Sequence, residues 1–536
     1  MSWKPEVDEI ERRREVAAQL GGVEAVQKQH ARGKLTVRER IDALLDRDSF
    51  REQGRITGQS EAVPEPTRRS EGDPAAESAR EDKPDRFTPS NTVMGVGRIE
   101  GRAVVVCGDD FTIRGAAYSA AGLKKGLYAD ELAVRRRLPL VRLLEAGGAS
   151  VVGASGTPGR SGYDMTAPAI LNLLCMEALA SVPVVCAALG PVAGFPAARL
   201  VASHFSLMTR DTAQILIGGP VLVERATGKA VSKEELGGAQ VHSRSGVVDA
   251  IAQDEEDVWR LARRFLSYLP SNAWELPPVA DTGDPCDRRA DELLSIVPRN
   301  HRRAFKMRRL IELVVDGASF FELGALYGRS QITGLARVKG QTVGVLANDC
   351  HRDGGSMTAE GARKVRRFVE LCDSFHVPVL SFVDEPGFMI GEEAERLGTI
   401  RFGMEAMFAV LQTTVPWFAV VVRRSFGVAQ GIHLGPNATV VAWPSLQSGA
   451  LPVEGGVALA YRADIDAAED PEARRRELED AMAAAQSSFP RAEEFGVHDL
   501  IDPRDTRPVI CNWIDEIQTQ LESNADRGPR RYTIRP

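Results

Sequence analysis

The sequence predicts an α/β fold built as two tandem copies of one domain, and three observations support this. Landmarks of the first half recur in the same order in the second half. Short β-rich runs alternate with segments of helical spacing in both halves. Glycine-containing turns follow the β-rich runs at matching places. The length of 536 residues also favours two domains, because a chain of this size exceeds one ordinary core.

The internal repeat is clearest where "GRAVVVCGDD" in the first half is matched by "GQTVGVLAND" in the second. The similarity extends outward in ordered blocks, which makes a chance match of common strand and turn phrases a poor explanation. The paired landmarks include Ile41 with Ile311, Phe50 with Phe320, Glu52 with Glu322, Gly54 with Gly324, Pro139 with Pro378, Pro183 with Pro416, and Gly194 with Gly427.

The repeat divides the chain into an N-terminal domain, residues 1–275, and a C-terminal domain, residues 276–536. The first copy carries an extra segment at about residues 57–88 that is rich in Pro, Glu, Ser and Ala. Such a composition buries little apolar surface, so we predict a mobile insertion there. The Pro-rich stretch at 269–291 is the predicted linker.

Within each copy the strands and helices can be assigned from local patterns. The runs "RAVVVCGDD" and "QTVGVLAND" follow glycine turns and predict strands. The stretch "GARKVRRFVELCDSF" places Val365, Phe368, Val369 and Cys372 on one side of a helix. The run "HVPVLSFVDEPGF" predicts a strand that ends at a Pro-Gly turn.

Composition excludes several classes of protein. The formal net charge of −7 provides no general attraction to nucleic acid or to an anionic membrane. The first twenty residues lack the apolar region of a signal peptide, and no segment has the character of a membrane span. The seven cysteines form no CxxC pair. We therefore predict a cytoplasmic protein with reduced cysteines and no metal site, since the histidines His204, His242, His351 and His433 show no metal-ligand spacing.

Four glycine turns are the candidate functional sites. Glycine permits positive φ and lets backbone N–H groups approach a ligand closely. In α/β folds such turns lie beyond the carboxyl ends of strands, where ligands bind, and converging N–H groups can hold a negatively charged oxygen. The alternative is that these glycines only form tight turns. The candidate residues are Gly147, Gly148 and Ala149; Gly194 and Phe195; Gly387 and Phe388; and Gly427 and Val428.

Several motifs resemble one enzyme family. They are "HARGKLTVRERIDALLDRDSF", "TGKAVSKEELGGAQVHSRSGVVD", "VDEPGF" and "AWPS". From about Lys28 to Arg462 the chain resembles the carboxyltransferase (β) subunit of biotin-dependent acyl-CoA carboxylases, in particular the propionyl-CoA carboxylase β group. The resemblance implies two crotonase-like domains and a homohexamer, a trimer of dimers. It also implies biotin carried on a separate α subunit, which provides the biotin carboxylase and biotin carrier functions.

The resemblance further implies a ligase or transferase that moves CO2 from carboxybiotin to the α-carbon of an acyl-CoA through a thioester enolate. Negative charge then develops on an oxygen of each partner, so two oxyanion sites are needed. By this resemblance Gly194 and Phe195 are catalytic on the acyl-CoA side, together with the turn of Gly147, Gly148 and Ala149. Gly427 and Val428 are catalytic on the biotin side, together with the turn of Gly387 and Phe388.

The chain departs from the family pattern at these turns. Phe195, followed by Pro196, stands where the family has a second glycine. Gly431 stands where a side chain commonly helps to select short acyl groups, which implies an enlarged pocket and a bulkier acyl substrate. These departures leave two alternatives open. One is an acyl-CoA decarboxylase of the malonyl or methylmalonyl type, and the other is a catalytically silent structural paralogue.

Overall fold

The computed structural model describes residues 2–60, 87–117, 119–148 and 168–528. The chain forms two compact units. The first unit comprises Met1–Ala178, Val184–Ala239 and Ala252–Arg260, and the second comprises Leu179–Pro183, Gln240–Ile251 and Leu261–Pro536. The domain division at residues 275 and 276 stays a prediction. The predicted linker at 269–291, described throughout, contains neither helix nor strand and belongs to the second unit. Most of the predicted mobile insertion, residues 61–86, lies outside the described residues.

Each of the two main sheets has eight strands, and the two share one topology. In the first sheet the order is β1-β4-β5-β6-β7-β8-β10, with β9 paired to β7, and in the second it is β11-β12-β13-β14-β15-β16-β18, with β17 paired to β15. Strands β2 and β3 form a separate pair. The strands are β1 Arg51–Gln53, β2 Gly58–Ser60, β3 Phe87–Pro89, β4 Thr92–Ile99, β5 Arg102–Asp109, β6 Leu140–Ala146, β7 Val184–Ala193, β8 Phe205–Thr209, β9 Gln214–Leu216, β10 Ala250–Ala252, β11 Phe321–Leu323, β12 Gln331–Val338, β13 Gln341–Asn348, β14 Val379–Glu385, β15 Trp417–Phe426, β16 Thr439–Ala442, β17 Gln447–Gly449 and β18 Asp499–Leu500.

The registers of the two sheets also correspond. Each begins with antiparallel strands joined by a glycine turn and continues with parallel pairs. The pairing of β6 with β7 shifts register between Leu144 and Ala146, and the pairing of β14 with β15 shifts between Val383 and Glu385. A shared irregularity at equivalent positions shows that the repeat in the sequence is a repeat of structure.

Helices connect the strands and flank the sheets. Equivalent long helices begin in the same way, since the Ser119 side chain accepts a hydrogen bond from Gly122 N–H and the Thr358 side chain accepts one from Gly361 N–H. The α-helices are α1 Lys4–Ala18, α2 Val23–His30, α3 Val37–Leu44, α4 Ala120–Arg136, α5 Pro168–Ser181, α6 Phe195–Val201, α7 Pro220–Thr227, α8 Lys233–Gly237, α9 Ala239–Ser245, α10 Glu255–Tyr268, α11 Leu293–Ile296, α12 Met307–Val314, α13 Ala359–Ser374, α14 Glu392–Arg396, α15 Thr399–Leu411, α16 Val453–Ala460, α17 Arg462–Ala467, α18 Pro471–Ala485, α19 Ser488–Glu493, α20 Thr506–Glu516 and α21 Gln518–Asp526. Short 3-10 helices span Arg114–Ala116, Asp353–Gly355, Val428–His433 and Pro503–Asp505.

The predicted helix at 361–375 is confirmed as α13, and its predicted apolar side, including Val365 and Phe368, is buried. The cores contain the parallel strands, whose residues are buried along almost their whole length, as expected when both faces of a sheet are covered. In the part of the chain that the structure describes, no helix is long and apolar enough for a membrane crossing.

Candidate functional site

In the first unit the two predicted glycine turns lie side by side. Gly194 follows β7 and opens α6, with φ of 67°. Gly148 follows β6, with φ of 87°. A Cβ on Gly148 would come within 2.9 Å of the carbonyl oxygen of Ala193, so only glycine fits this approach. The ends of the two central strands therefore bring both turns to one edge of the sheet.

The second unit repeats this backbone geometry. Gly427 follows β15 and opens the 3-10 helix Val428–His433, with φ of 62°. Gly387 follows β14, with φ of 123°. Gly427 N–H donates to Gly449 O at 3.1 Å, as Gly194 N–H donates to Leu216 O at 3.1 Å in the first unit. These equivalent bonds occupy the N–H groups of both glycines. The next N–H along the chain belongs to Phe195 in the first unit and to Val428 in the second.

Val428 offers that N–H to a ligand. Its side chain is 63% exposed, and its N–H finds no hydrogen-bond acceptor among the described residues. Phe195 occupies the equivalent position in the first unit, where it is half-buried and begins α6 ahead of Pro196. The amide of Val428, unpaired within the described residues and part of an exposed residue, is the candidate donor to an oxyanion in this turn.

In the Gly387 turn, one of the two candidate residues already has its N–H bonded within the protein. Gly387 N–H donates to Glu385 Oε1 at 2.9 Å and is not available to a ligand in this conformation. Gly387 O accepts from Met357 N–H at 3.0 Å. Phe388 N–H has no acceptor in the described part of the chain, so it is the donor that this turn offers.

Three further residues predicted to belong to the site are Gly147, Ala149 and Gly431. Ala149 lies outside the described residues, whereas Gly147 is exposed and donates its N–H to Gly115 O at 3.0 Å. The Met407 side chain lies in the space beside Gly431, and the enlarged pocket expected there stays a prediction. A Cβ on Gly431 would lie 2.7 Å from Met407 Cε. The side chain missing at Gly431 is thus replaced by a neighbouring flexible one.

Buried charges support the strand ends beneath the turns. In the first unit the Glu145 carboxylate is fully buried, pairs with Lys34, and contacts Arg40 Nη1 at 2.7 Å. In the second unit Asp384 lies within 2.7 Å of Arg423 and 2.8 Å of Arg424. Burial alone would raise the pKa of Asp384, but hydrogen bonds from the two arginines outweigh it and lower the pKa.

Sequence reasoning missed a group of buried polar side chains under the second-unit turns. Glu385, His433, Ser381 and Asn348 are hydrogen-bonded to one another and at most 1% exposed. From the sequence, His433 was considered only as a possible metal ligand, and its spacing did not support that role. The available signals were an acidic residue two positions before Gly387 and a histidine in the apolar run "GIHL".

A cavity of about 480 Å³ adjoins the same turns. Pro386 and Phe426, which directly precede Gly387 and Gly427, line it. Its cationic lining residues are Arg299, Arg302, Arg303, Arg423 and Arg424, and its acidic ones are Glu454, Glu479 and Asp480. His301 also lines it, and burial together with Arg423 and Arg424 lowers the pKa of this histidine. Arg423 and Arg424, the guanidinium groups nearest to the turns, are themselves paired with Asp384.

The duplicated sheets and the paired glycine turns define an α/β protein built from two copies of one domain. Residues 28–527 match the family described as "Carboxyl transferase domain". The chain belongs to this carboxyl transferase family.

Known proteins agree with this assignment over nearly the whole chain. The "Propionyl-CoA carboxylase, carboxyltransferase subunit" of Haloferax mediterranei is 32% identical, covering 98% of this chain and 99% of that protein. The "Methylmalonyl-CoA decarboxylase subunit alpha" of Veillonella parvula is 30% identical, covering 96% and 95%. A structure of transcarboxylase 12S, a hexamer with methylmalonyl-coenzyme A bound, matches with a TM-score of 0.84 and 28% identity, covering 100% and 97%.

These matches confirm three predictions from the sequence. The resemblance to the propionyl-CoA carboxylase β group is confirmed. The α/β fold with two tandem crotonase-like domains is confirmed. The chain is an enzyme, an acyl-CoA carboxyltransferase.

Proposed function

We propose that this chain is the carboxyltransferase subunit of a biotin-dependent acyl-CoA carboxylase. It exchanges the α-proton of an acyl-CoA for the carboxyl group of carboxybiotin, which a partner subunit carries. The observation that carries the proposal is the repeated turn at the ends of β7 and β15. In both, a glycine with left-handed φ has its own N–H bonded internally, and in the second unit the next amide, that of Val428, has no acceptor among the described residues. A reaction that develops negative charge on two different oxygens requires two such sites.

The second unit fits the biotin side. Biotin, when bound, supplies the carboxyl group and a polar ring. Val428 N–H and Phe388 N–H are donors without acceptors in the described residues, and the arginine-lined cavity adjoins both turns. Amides fixed in a rigid turn stabilise a developing oxyanion without reorganising during the reaction. Val428 N–H and Phe388 N–H are therefore our proposed donors here, and Gly427 fixes the turn that carries Val428.

The first unit is our proposed acyl-CoA side. Gly194 and Phe195 occupy the positions of Gly427 and Val428, and Gly148 packs against the same strand end. In this assignment Phe195 N–H faces the thioester oxygen, while Gly147 and Gly148 shape the neighbouring wall. The half-buried Phe195 ring would contact the acyl group.

The partner and assembly follow from the same assignment. The chain works with an α subunit that carries the biotin and the biotin carboxylase, and it forms a hexamer, as the transcarboxylase 12S core does. The cytoplasmic location predicted from the sequence belongs to this proposal. Acyl-CoA is the substrate, as methylmalonyl-coenzyme A is for the structurally similar transcarboxylase core.

Reconstitution tests the function. The purified chain is combined with biotinylated protein that co-purifies from its source, ATP, labelled bicarbonate and a panel of acyl-CoA thioesters. We expect label in the acyl-CoA only when the biotinylated partner is present. CO2 release from methylmalonyl-CoA or malonyl-CoA by the chain alone would instead support the decarboxylase, which the Veillonella parvula relative favours as second candidate. Absence of thioester binding and of both activities would leave the silent paralogue.

A single-residue pair tests the donor itself. Val428→Pro removes the N–H, and proline is well accepted at the first position of a helix. Loss of one such donor typically lowers kcat by 10²- to 10³-fold. The matched variant Val428→Ala keeps the N–H and should keep kcat within about 3-fold, since side-chain truncation leaves the donor in place. Equal kcat in the two variants would contradict the assignment of Val428.

A further inference from the structure

The two glycine turns of the second unit are joined by one buried carboxylate. Glu385 Oε1 accepts from Gly387 N–H at 2.9 Å, within the first turn. Glu385 Oε2 lies 3.2 Å from His433 Nε2, and His433 ends the 3-10 helix that begins at Val428 in the second turn. The same oxygen accepts from Asn348 Nδ2 at 3.0 Å. Each turn is thus attached to a different oxygen of one side chain.

The hydrogen bonds form a chain with a consistent direction. His433 Nδ1 lies 3.1 Å from Ser381 Oγ, on β14. If Ser381 donates to Nδ1, then Nε2 carries the proton and donates to Glu385, which accepts from three groups and donates to none. Asn348 also donates to Gly355 O at 3.0 Å and accepts from Asp384 N–H at 2.9 Å. A fully satisfied buried network of this kind holds its parts rigidly.

The fold itself does not require the Glu385–His433 pair, because the first unit has apolar residues at the two equivalent positions. Ala146 follows the same register shift as Glu385, and Leu200 is the sixth residue of α6 as His433 is the sixth of the 3-10 helix. Both are fully buried. Burying polar groups where an apolar pair suffices is costly, so a role beyond folding is indicated.

We propose that Glu385 and His433 are positioning residues that set the two second-unit turns relative to each other. The inference rests on the proposed function, because the groups being positioned are the amides of Val428 and Phe388. Displacing a donor by about 1 Å can cost 10²-fold in rate. Coupling the two turns through one carboxylate prevents either from moving alone.

Hydrogen exchange measured by mass spectrometry tests the coupling without reference to turnover. Glu385→Ala and His433→Leu each introduce the residue of the first unit. We expect each to accelerate amide exchange in both segments, 386–389 and 428–433. Faster exchange in only one of the two segments, the one nearer in sequence to the substitution, would overturn the proposal.

Kinetics provide a second, independent readout in the reconstituted enzyme. We expect His433→Leu to lower kcat by roughly 10- to 100-fold with little change in the acyl-CoA KM. His433→Gln keeps a donor near Nε2 and should recover most of the rate, and the double variant should be no slower than either single one. His498→Leu is the control, because His498 instead binds Val440 N–H near the start of β16.

The outcomes separate the two proposals. Reciprocal exchange effects in a chain without carboxyltransferase activity would retain the positioning role and remove the proposed function. Full activity of the wild type with only local exchange effects, or with kcat unchanged in His433→Leu, would retain the function and remove the positioning role.

Discussion

The two units use the same backbone at their glycine turns and different side chains to support it. In the first unit, Arg199 of α6 contacts Asp130 of α4 at 2.8 Å, and Arg142 of β6 donates to Arg199 O at 3.1 Å. In the second unit the corresponding short helix is held by His433 and Glu385. Since the support differs while both glycines keep left-handed φ, the main-chain geometry of the turns is the shared requirement.

The buried side chains that surround the two short helices also differ at equivalent positions. Where the first unit has Arg142, Asp130 and Arg199, the second has Ser381, Val369 and Ile432, all buried. An arginine–aspartate cluster in one unit and a histidine–glutamate pair in the other therefore support the same turn. A buried ion cluster contributes less net stability than apolar packing would. Removing one of its charged partners is nevertheless strongly destabilising, because the remaining charge stays buried.

The largest expected effect on the free energy of unfolding comes from breaking the first-unit cluster of Asp130, Arg142 and Arg199. Asp130→Ala leaves two buried guanidinium groups without their carboxylate, and such a loss costs about 3–5 kcal/mol in the free energy of unfolding. Burial would raise the pKa of Asp130, but Arg142 and Arg199 outweigh burial and lower it, which agrees with an ionised partner. Chemical denaturation of the variant measures the loss.

Two further variants sharpen this comparison. The triple variant Asp130→Val, Arg142→Ser and Arg199→Ile copies the second unit and should recover much of the lost stability. Glu131→Ala, which removes an exposed carboxylate from the same helix, should change the unfolding free energy by less than about 0.5 kcal/mol. A triple variant less stable than Asp130→Ala would show that the two units are not interchangeable here.

The duplication and the glycine turns could be predicted because both leave local marks in the sequence. A left-handed turn at a strand end requires glycine, so Gly148, Gly194, Gly387 and Gly427 could be identified without a structure. The pairing of Glu385 with His433 could not, because their separation along the chain carries no periodic signal. The space taken by Met407 beside Gly431 was missed for the same reason, since packing between distant segments decides it.

A smaller effect on the free energy of unfolding is expected at a position where the first unit has a carboxylic acid side chain and the second has an amide side chain. Asp109 and Asn348 end equivalent strands. Burial raises the pKa of Asp109 to about 6, above its ordinary value of 3.8. The folded state therefore binds this proton more tightly than the unfolded state, and stability is lost as the pH rises from about 4 through 6.

Asp109→Asn introduces the second-unit residue and removes this loss. We expect the variant to be more stable than the wild type by about 1–3 kcal/mol at pH 7.5, with the difference vanishing near pH 4. Urea unfolding across this pH range measures it. Asp42→Asn, at an exposed position, should leave the pH dependence unchanged. Parallel curves for Asp109→Asn and the wild type would mean that Asp109 does not titrate in this range.

The smallest effect is expected at the fourth residue of each short helix, which is Ala198 in the first unit and Gly431 in the second. Gly431→Ala places a methyl group 2.7 Å from Met407 Cε. Because the end of a methionine side chain moves easily, we expect a cost of about 1 kcal/mol, measured as a shift in thermal unfolding.

Met407→Ala does the opposite and opens the space beside Gly431. If this space limits acyl length, the preferred acyl-CoA should become longer in Met407→Ala and shorter in Gly431→Ala. Rates across an acyl-CoA chain-length series should then change by roughly 10-fold for each methylene added to or removed from the acyl group. Identical preferences in both variants would place the acyl group elsewhere and leave the Met407 contact as packing alone.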